Sequence, residues 1–337
     1  MGKMISMPSS PLWRGGTDVD VGSLRLGKEL GKGGQGRVVQ VMDHEPPLVF
    51  KEYFVPGADG AALKNLVDMP ATLTPADQDR LHRQMAWPLA RVLRQGGLSG
   101  FLMREIPGRF LGRNSAGSSR LRELQYLLYE PSLLWGDISP PDIAGRIEVA
   151  RHFTALMQFL HDNALIVGDV SMKNVLWASG EPAEIFLIDC DSIHRVGTRP
   201  VLQAADTPDW HDPRQPPHGS SLDSDRYKLA LAVGRVLSRD ASLRPGQDLR
   251  LLPGIPDRIA ETVRAQWRQA AGSYGARPDA WHWQRALSDR SEIPLPAPPP
   301  VRTRPQIPEA DVIQPRTTRG SIPLRPPSPG SGRPSRP

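Results

Sequence analysis

Two short apolar runs, Asn174 to Trp177 and Ile185 to Ile188, flank a turn that carries Gly180. Val167-Gly168-Asp169-Val170-Ser171-Met172-Lys173-Asn174 leads into the first run, and Phe186-Leu187-Ile188-Asp189-Cys190-Asp191 closes the second. Apolar runs bounded by turn residues read as two paired strands. The pairing gathers an acid, an amide five residues later and a second acid at one mouth. One carboxylate can orient a nucleophile there, while the amide and the other carboxylate hold a divalent ion through oxygen. That is the set phosphoryl transfer needs, and the remaining elements must be compatible with it.

Upstream, Leu26 to Val41 alternates apolar residues on both sides of a glycine cluster, the pattern of a hairpin with a flexible tip. Glycines 31, 33 and 36 let backbone amides approach phosphate oxygens that a Cβ would keep away. Lys32 and Gly34 sit in the same tip, and Val38 just past it is placed to face a nucleotide base. A Gly-rich hairpin with no ligand is the plainer reading. Leu48-Val49-Phe50-Lys51 is an apolar strand ending on lysine, and a buried ammonium needs an anion beside it. Alone, Lys51 reads equally as a strand end reaching water; with the hairpin it is placed for phosphates.

The chain has 337 residues, room for two lobes and a tail, and a net charge of +6. From Ser291 to Pro337 seven arginines face only Glu292, Glu309 and Asp311, so most of the basic excess lies in the tail. The rest is nearly balanced, which argues against nucleic acid as a partner. The single cysteine, Cys190, excludes an internal disulfide framework and a Cys-rich zinc site. The start lacks a signal-like apolar core and no run approaches the ~18 apolar residues of a membrane helix. A cytoplasmic protein without a membrane span is the expectation.

In order, residues 1–22 are Gly-, Ser- and Pro-rich and expected to be flexible. Ala58 to Met69 has a helical pattern with Ala62, Leu63, Leu66 and Val67 on one face, and Asp79 to Leu93 reads as a second helix. Leu98 to Met103 is a strand leaving the first lobe. Leu121 to Leu128 is a helix candidate in a segment that is otherwise hard to place. Apolar residues from Ile143 to Leu160 step at helical spacing, with Ser139 before Pro140 and Pro141 as its start. Pro256 to Gln269 and Arg277 to Leu287 supply two further helices.

Taken together, the glycine loop, Lys51, the Leu160-His161 helix end, Asp169, Asn174 and Asp189 resemble the eukaryotic-like protein kinases, in a divergent bacterial Ser/Thr subgroup with Asp-Cys-Asp for Asp-Phe-Gly. The resemblance covers roughly residues 24–288. It implies an α+β, two-lobed kinase-like fold: a small β-rich lobe (23–106), a larger helical lobe (107–288) and a Pro/Arg-rich disordered tail or linker (289–337). It implies ATP and Mg2+ as cofactors, with Mn2+ able to replace Mg2+, and protein substrates as partners. Asp169 would be the base or orienting group, and Asn174 and Asp189 the metal ligands. Lys51 would hold the α- and β-phosphates. Gly31, Lys32, Gly33, Gly34, Gly36 and Val38 would line the nucleotide. Arg104-Glu105-Ile106 would be the adenine-contacting connector, with Met103 at the back of the pocket or simply filling core.

The departures from the family matter as much. Gly168 replaces the arginine that often reads a phosphate on the activation loop, so control by loop phosphorylation is not expected. Ser171 stands where the family has a phosphate-contacting lysine, and Lys173 is positioned to substitute, without implying tyrosine specificity. The helix glutamate that pairs with the strand lysine has no counterpart; Asp59, Asp68 or nothing would take its place. Cys190 reads as a small buried hydrophobe, a redox thiol being the sharper alternative, and Asp191 as a second metal carboxylate or a turn cap. Thr207 to Pro213 resembles the substrate-docking loop, but Arg214 replaces the glutamate that pairs with an arginine matching Arg277. Asp212 or another acid must then serve. Asp225 would hold the catalytic-loop backbone, with Ser224 or Asp223 as ordinary caps.

The tail holds fourteen of the 36 prolines. It is read as a spacer, with strings such as Pro296 to Pro299 suited to a polyproline-reading partner. Two other functions compete with a Ser/Thr protein kinase: a small-molecule phosphotransferase of aminoglycoside-kinase type, and a nucleotide-binding pseudokinase scaffold.

Overall fold

Alternating apolar and polar residues make the first third of the chain a twisted sheet with two different faces. The computed structural model describes residues 18–180, 182–202 and 207–288, all within one compact unit. Strands β1 (Val19–Asp20), β2 (Leu26–Lys32), β3 (Gly36–Val41) and β4 (Leu48–Tyr53) are followed by α1 (Gly60–Asp68) and α2 (Pro75–Gln84), then β5 (Ala90–Arg94) and β6 (Gly97–Arg104). The sheet order is β1-β5-β6-β4-β3-β2. Register pairs Val38 with Lys51, Lys51 with Phe101, and Val49 with Met103. A period of two therefore puts these side chains on one face. Val41, Leu48, Phe50, Ala90, Val92 and Leu102 cover the other face with a small core of their own. Val49, Phe101 and Met103 join the main core.

Two expectations change here. Residues 19–22, assigned to the flexible start, lie in β1, which pairs parallel with β5, and in the 3-10 turn Val21–Ser23. The helix expected from Asp79 to Leu93 stops at Gln84. Met85 is already extended (φ −147°, ψ 144°), and Pro88 cannot donate into a helix and biases Trp87 away from one. Ala90 and Val92 then alternate into the outer core as β5.

Beyond β6 comes a hairpin, β7 (Leu111–Arg113) and β8 (Ser119–Leu121), and α3 (Ile143–Asp162). The helix expected over Leu121 to Leu128 is only a 3-10 turn, Leu124–Leu127. Asp142, not Ser139, starts α3: its carboxylate accepts from Gly145 N at 2.9 Å, the usual service of an acidic N-cap. Short strands β9 (Leu165–Ile166), β10 (Val175–Ala178), β11 (Glu184–Leu187) and β12 (His194–Arg195) follow, then α4 (Leu222–Ser238), α5 (Asp257–Ala270) and α6 (Ala280–Ala286). Ser221 caps α4 in a reciprocal capping box with Ser224, so Ser224 shares the cap and Asp223 does not supply it. Helix α4 is buried almost all round and packs on α3 and α5.

The result is a mixed α+β protein, a β-rich N-terminal sheet with helices after it, compatible with the two-lobed arrangement expected. Among the described residues no helix is long and apolar enough to cross a membrane. The tail from 289, with its Pro296 to Pro299 string, lies outside the described residues.

Candidate active site

The loop between β9 and β10 is held from below by α4. Asp225, fully buried, accepts Val167 N at 2.6 Å and Gly168 N at 2.9 Å, with His161 Nε2 at 3.3 Å. A buried carboxylate is stable only with such donors. One turn along α4, Lys228 donates to the Gly168 carbonyl at 2.5 Å. Gly168 itself has φ +76°, and a Cβ there would lie 2.9 Å from Ser220 Oγ. A side chain at this position would be strained and crowded. Val167 and Val170 bury their side chains in the main core, so backbone and apolar anchors together fix the loop.

Asp169 is thereby presented with both oxygens engaged. Asn174 Nδ2 donates to Oδ2 and to the Asp169 carbonyl, both at 2.9 Å, and Thr207 Oγ1 donates to Oδ1 at 3.0 Å. Burial pushes the Asp169 carboxyl up; the bonds from Thr207 and Asn174 and the charge of Lys228 oppose that rise, while Asp189 adds to it.

The β10/β11 ladder pairs Val175 with Leu187, and Ile188 N donates to the Asn174 carbonyl at 2.9 Å. This sets Asn174 and Asp189 next to each other at the mouth of the hairpin. Asp189 takes a left-handed conformation (φ 56°, ψ 44°) that ends the strand, and its side chain is 49% exposed. With Nδ2 turned to Asp169, Asn174 keeps its amide oxygen for another partner. Among the described residues no group of three or more His, Cys, Asp or Glu could hold a metal. The donor set is one amide oxygen and one carboxylate. That suits an ion such as Mg2+, which keeps water and substrate phosphates for its remaining positions.

Lys51 is 6% exposed. Its ammonium meets Asp191 Oδ1 at 2.6 Å and Asp189 Oδ1 at 3.2 Å. Burial pulls its pKa down, but the charges of Asp191 and Asp189 and their hydrogen bonds outweigh that, and the net shift is upward. Neither acid expected from α1 is involved. Asp59 caps α1 by accepting from Ala61 N and Ala62 N at 2.9 and 3.0 Å, and Asp68 pairs with Lys64. Asp191 is therefore neither a plain turn cap nor a free second carboxylate for the metal. Its other oxygen accepts Tyr53 OH at 3.0 Å. Cys190 is 1% exposed, and burial, with the charges of Asp191 and Asp189, pushes its thiol well up. An unionised buried thiol is a packing group.

The tip of the β2/β3 hairpin is closed by Gly33 N donating to Gly36 O at 2.8 Å. At Gly31, Gly33 and Gly34 an added Cβ would meet nothing within 4 Å, so no protein packing demands glycine there. Gly36 differs: a Cβ would lie 2.2 Å from Glu52 O, so the close β3/β4 approach itself requires glycine there. Lys32 is exposed, over the Phe54 ring at 5.5 Å. Val38 shares the Lys51 face, and Met103, 6% exposed, is core on the same face. Glu105 N already donates to Pro47 O at 3.0 Å. Lys173 is exposed on the turn, where its charge acts on Glu123, and among the described residues it makes no bond to Asp169.

Further along, Asp212 and Arg277 form a fully buried bidentate pair at 2.5 and 2.8 Å, and Arg277 also meets Asp223 at 3.1 Å. Asp212 is thus the acid that meets Arg277. Arg214 turns away, its guanidinium donating to the Gly272 carbonyl.

Sequence reasoning missed three residues: Asp191 in its pairing role, Tyr53 and Lys228. The available signals were a tyrosine two places from Lys51, hence on the same strand face, and a lysine inside the apolar run of α4.

No profile of a known protein family matches the chain. The chain is 27% identical over 226 residues to a protein named Protein kinase YegI from Escherichia coli strain K12, and 27% identical over 225 residues to its namesake from E. coli O157:H7. Each match covers 63% of this chain and 31% of the relative, so the chain spans under a third of the length of the curated proteins it matches. By sequence, it is kinase-like.

Proposed function

We propose that this chain is a protein kinase that moves the γ-phosphate of ATP, with Mg2+, to serine and threonine hydroxyls of protein substrates. The observation that carries the reading is the Asp169 carboxylate holding an alcohol: the Thr207 hydroxyl donates to Oδ1 at 3.0 Å. A substrate serine or threonine would present the same group to the same oxygen. In this role Asp169 orients the acceptor O–H and takes its proton as the oxygen bonds to the γ-phosphorus and the bond from that phosphorus to the departing ADP oxygen breaks. Positioning of this kind is most of what a loose phosphoryl transition state asks of the protein.

The residues present fit the two cofactors. Asn174 Oδ1 and the Asp189 carboxylate would hold Mg2+, whose chemistry is to neutralise charge on the phosphate oxygens. An ammonium has three donors; Asp191 and Asp189 take two from Lys51, and the third is left for a phosphate. Open backbone at Gly31, Gly33 and Gly34 would approach the phosphates, and Val38, Met103 and the connector at Glu105 would bound the base. Lys173 would act on the substrate side of the phosphate. The buried Asp212–Arg277 anchor supports a rigid docking loop for a protein substrate, and Gly168 supports activity without a loop-phosphorylation switch.

The test is incubation with labelled ATP, Mg2+ and a proteome lysate, beside Asp169→Asn and Lys51→Met. Label on protein serine and threonine that vanishes in both variants is the expected result. ATP consumption without protein label would point instead to a small acceptor, and nucleotide binding without turnover to a scaffold.

A further inference from the structure

We propose that Asp191 is the positioning residue for Lys51, tying β4 directly to the turn that carries Asp189 and leaving α1 outside the catalytic ion pair. The inference rests on the kinase reading for its meaning, and on geometry for its existence.

Lys51 and Tyr53 are two residues apart and share one face of β4. Asp191 divides its carboxylate between them, Oδ1 to Lys51 at 2.6 Å and Oδ2 to Tyr53 at 3.0 Å. With Asp191 3% and Lys51 6% exposed, the pair is shielded from the water and salt that weaken surface pairs. The turn bearing Asp191, Cys190–Ser192, is itself tied down. Ser192 Oγ donates to Val167 O at 3.0 Å, Ile193 N to Cys190 O at 3.1 Å, and Cys190 Sγ to Leu187 O at 3.5 Å. A continuous path therefore runs from β4 through Asp191 and Ser192 to the loop holding Asp169.

The acids on α1 are occupied locally, Asp59 by the helix N-terminus and Asp68 by Lys64. Moving α1 would not release Lys51. Reshaping residues 189–192 would, so the position of Lys51 and the presentation of Asp189 are set by one element.

Two readouts test this, one independent of turnover. Acylation of Lys51 with a small reagent at pH 8, followed by peptide mass spectrometry, reports how firmly the ammonium is held. Losing the carboxylate that holds it in Asp191→Asn should free the Lys51 side chain from its buried position and raise its acylation rate by about tenfold. Asp68→Ala should leave it within about twofold. With MgATP, Asp191→Asn should lower kcat/KM by roughly a hundredfold while adenosine affinity is kept, and Asp191→Glu should restore part of the loss. Unchanged Lys51 reactivity in Asp191→Asn, or Lys51 exposed by Asp68→Ala, would overturn the proposal. If Asp191→Asn does not fold, Ser192→Ala decides: it cuts the bond from the turn to Val167 O and keeps both charges. Lys51 acylated about threefold faster supports the tether, and an equal rate sinks it. A wild-type chain that never turns over ATP, with the acylation result intact, would count against the kinase reading while still supporting the tether.

Discussion

Each oxygen of Asp169 already holds a donor, and that sets its acid–base behaviour. Burial raises its pKa above the ordinary carboxylate value, and the bonds from Thr207 and Asn174 lower it. A carboxylate that must accept a proton is lost to the reaction when it is protonated beforehand. The acid limb of the kcat/KM profile should therefore lie above that of an exposed aspartate. Thr207→Val removes a bond that favours the charged form, so it should move the limb to higher pH; a limb that stays or falls would contradict this. Gly168 offers a second check. Its φ of +76° and the Ser220 hydroxyl beside it should make Gly168→Ala less stable by about 1–2 kcal/mol, measured by urea unfolding. Asp169, Asn174 and Asp189 were legible because their spacing along a single loop and hairpin encodes their juxtaposition. Asp191 and Tyr53 were not, because their contact joins residues 138 apart in the chain, and no local pattern records which acid an ammonium will find across a fold.

Among elements, α4 does most to hold the site. It supplies Asp225 to two backbone amides and Lys228 to a carbonyl of the same loop, and its first turn lies beside the Asp212–Arg277–Asp223 cluster. Removing one partner of a buried, hydrogen-bonded ion pair leaves the other charge without compensation, at a cost of about 3–5 kcal/mol. Arg277→Met should therefore unfold at clearly lower urea, with the loop at 207–213 cleaved earlier by protease than the rest of the chain. A midpoint equal to wild type would show that the pair does not anchor that loop. Elements with strong periodicity or clear strand signals, α1, α3 and the β10/β11 hairpin, were readable from sequence. The stretch from Asp79 to Leu93 misled because Leu81, Met85, Ala86 and Leu89 are apolar and buried in both a helix and a helix-then-strand arrangement. Trp87-Pro88, which breaks the helix, is the cue that should have decided it. The Leu121 to Leu128 stretch failed for a related reason: four residues of 3-10 turn bury Leu124 and Leu127 as well as a longer helix would.

At the scale of the whole molecule, the sheet has two cores of unequal size. The outer one is local to β3–β6. The main one runs from β4 and β6 through α1 and α2 into α3, α4 and the β10/β11 hairpin. Lys51 and Tyr53 lie on the face that turns toward the main core, which is why a carboxylate from the helical part can reach them. One claim is central to the proposed function: Asp169 directs an acceptor hydroxyl toward a phosphate that Lys51, and a metal ion on Asn174 and Asp189, would hold. Single-turnover transfer from labelled ATP to protein, compared between wild type and Asp169→Asn alongside nucleotide affinity, tests it most directly. The account predicts MgATP affinity within about threefold of wild type and transfer slowed by roughly 10²–10⁴, the range of a positioned general base. Transfer by Asp169→Asn at the wild-type rate, with the label still on serine and threonine, would contradict it.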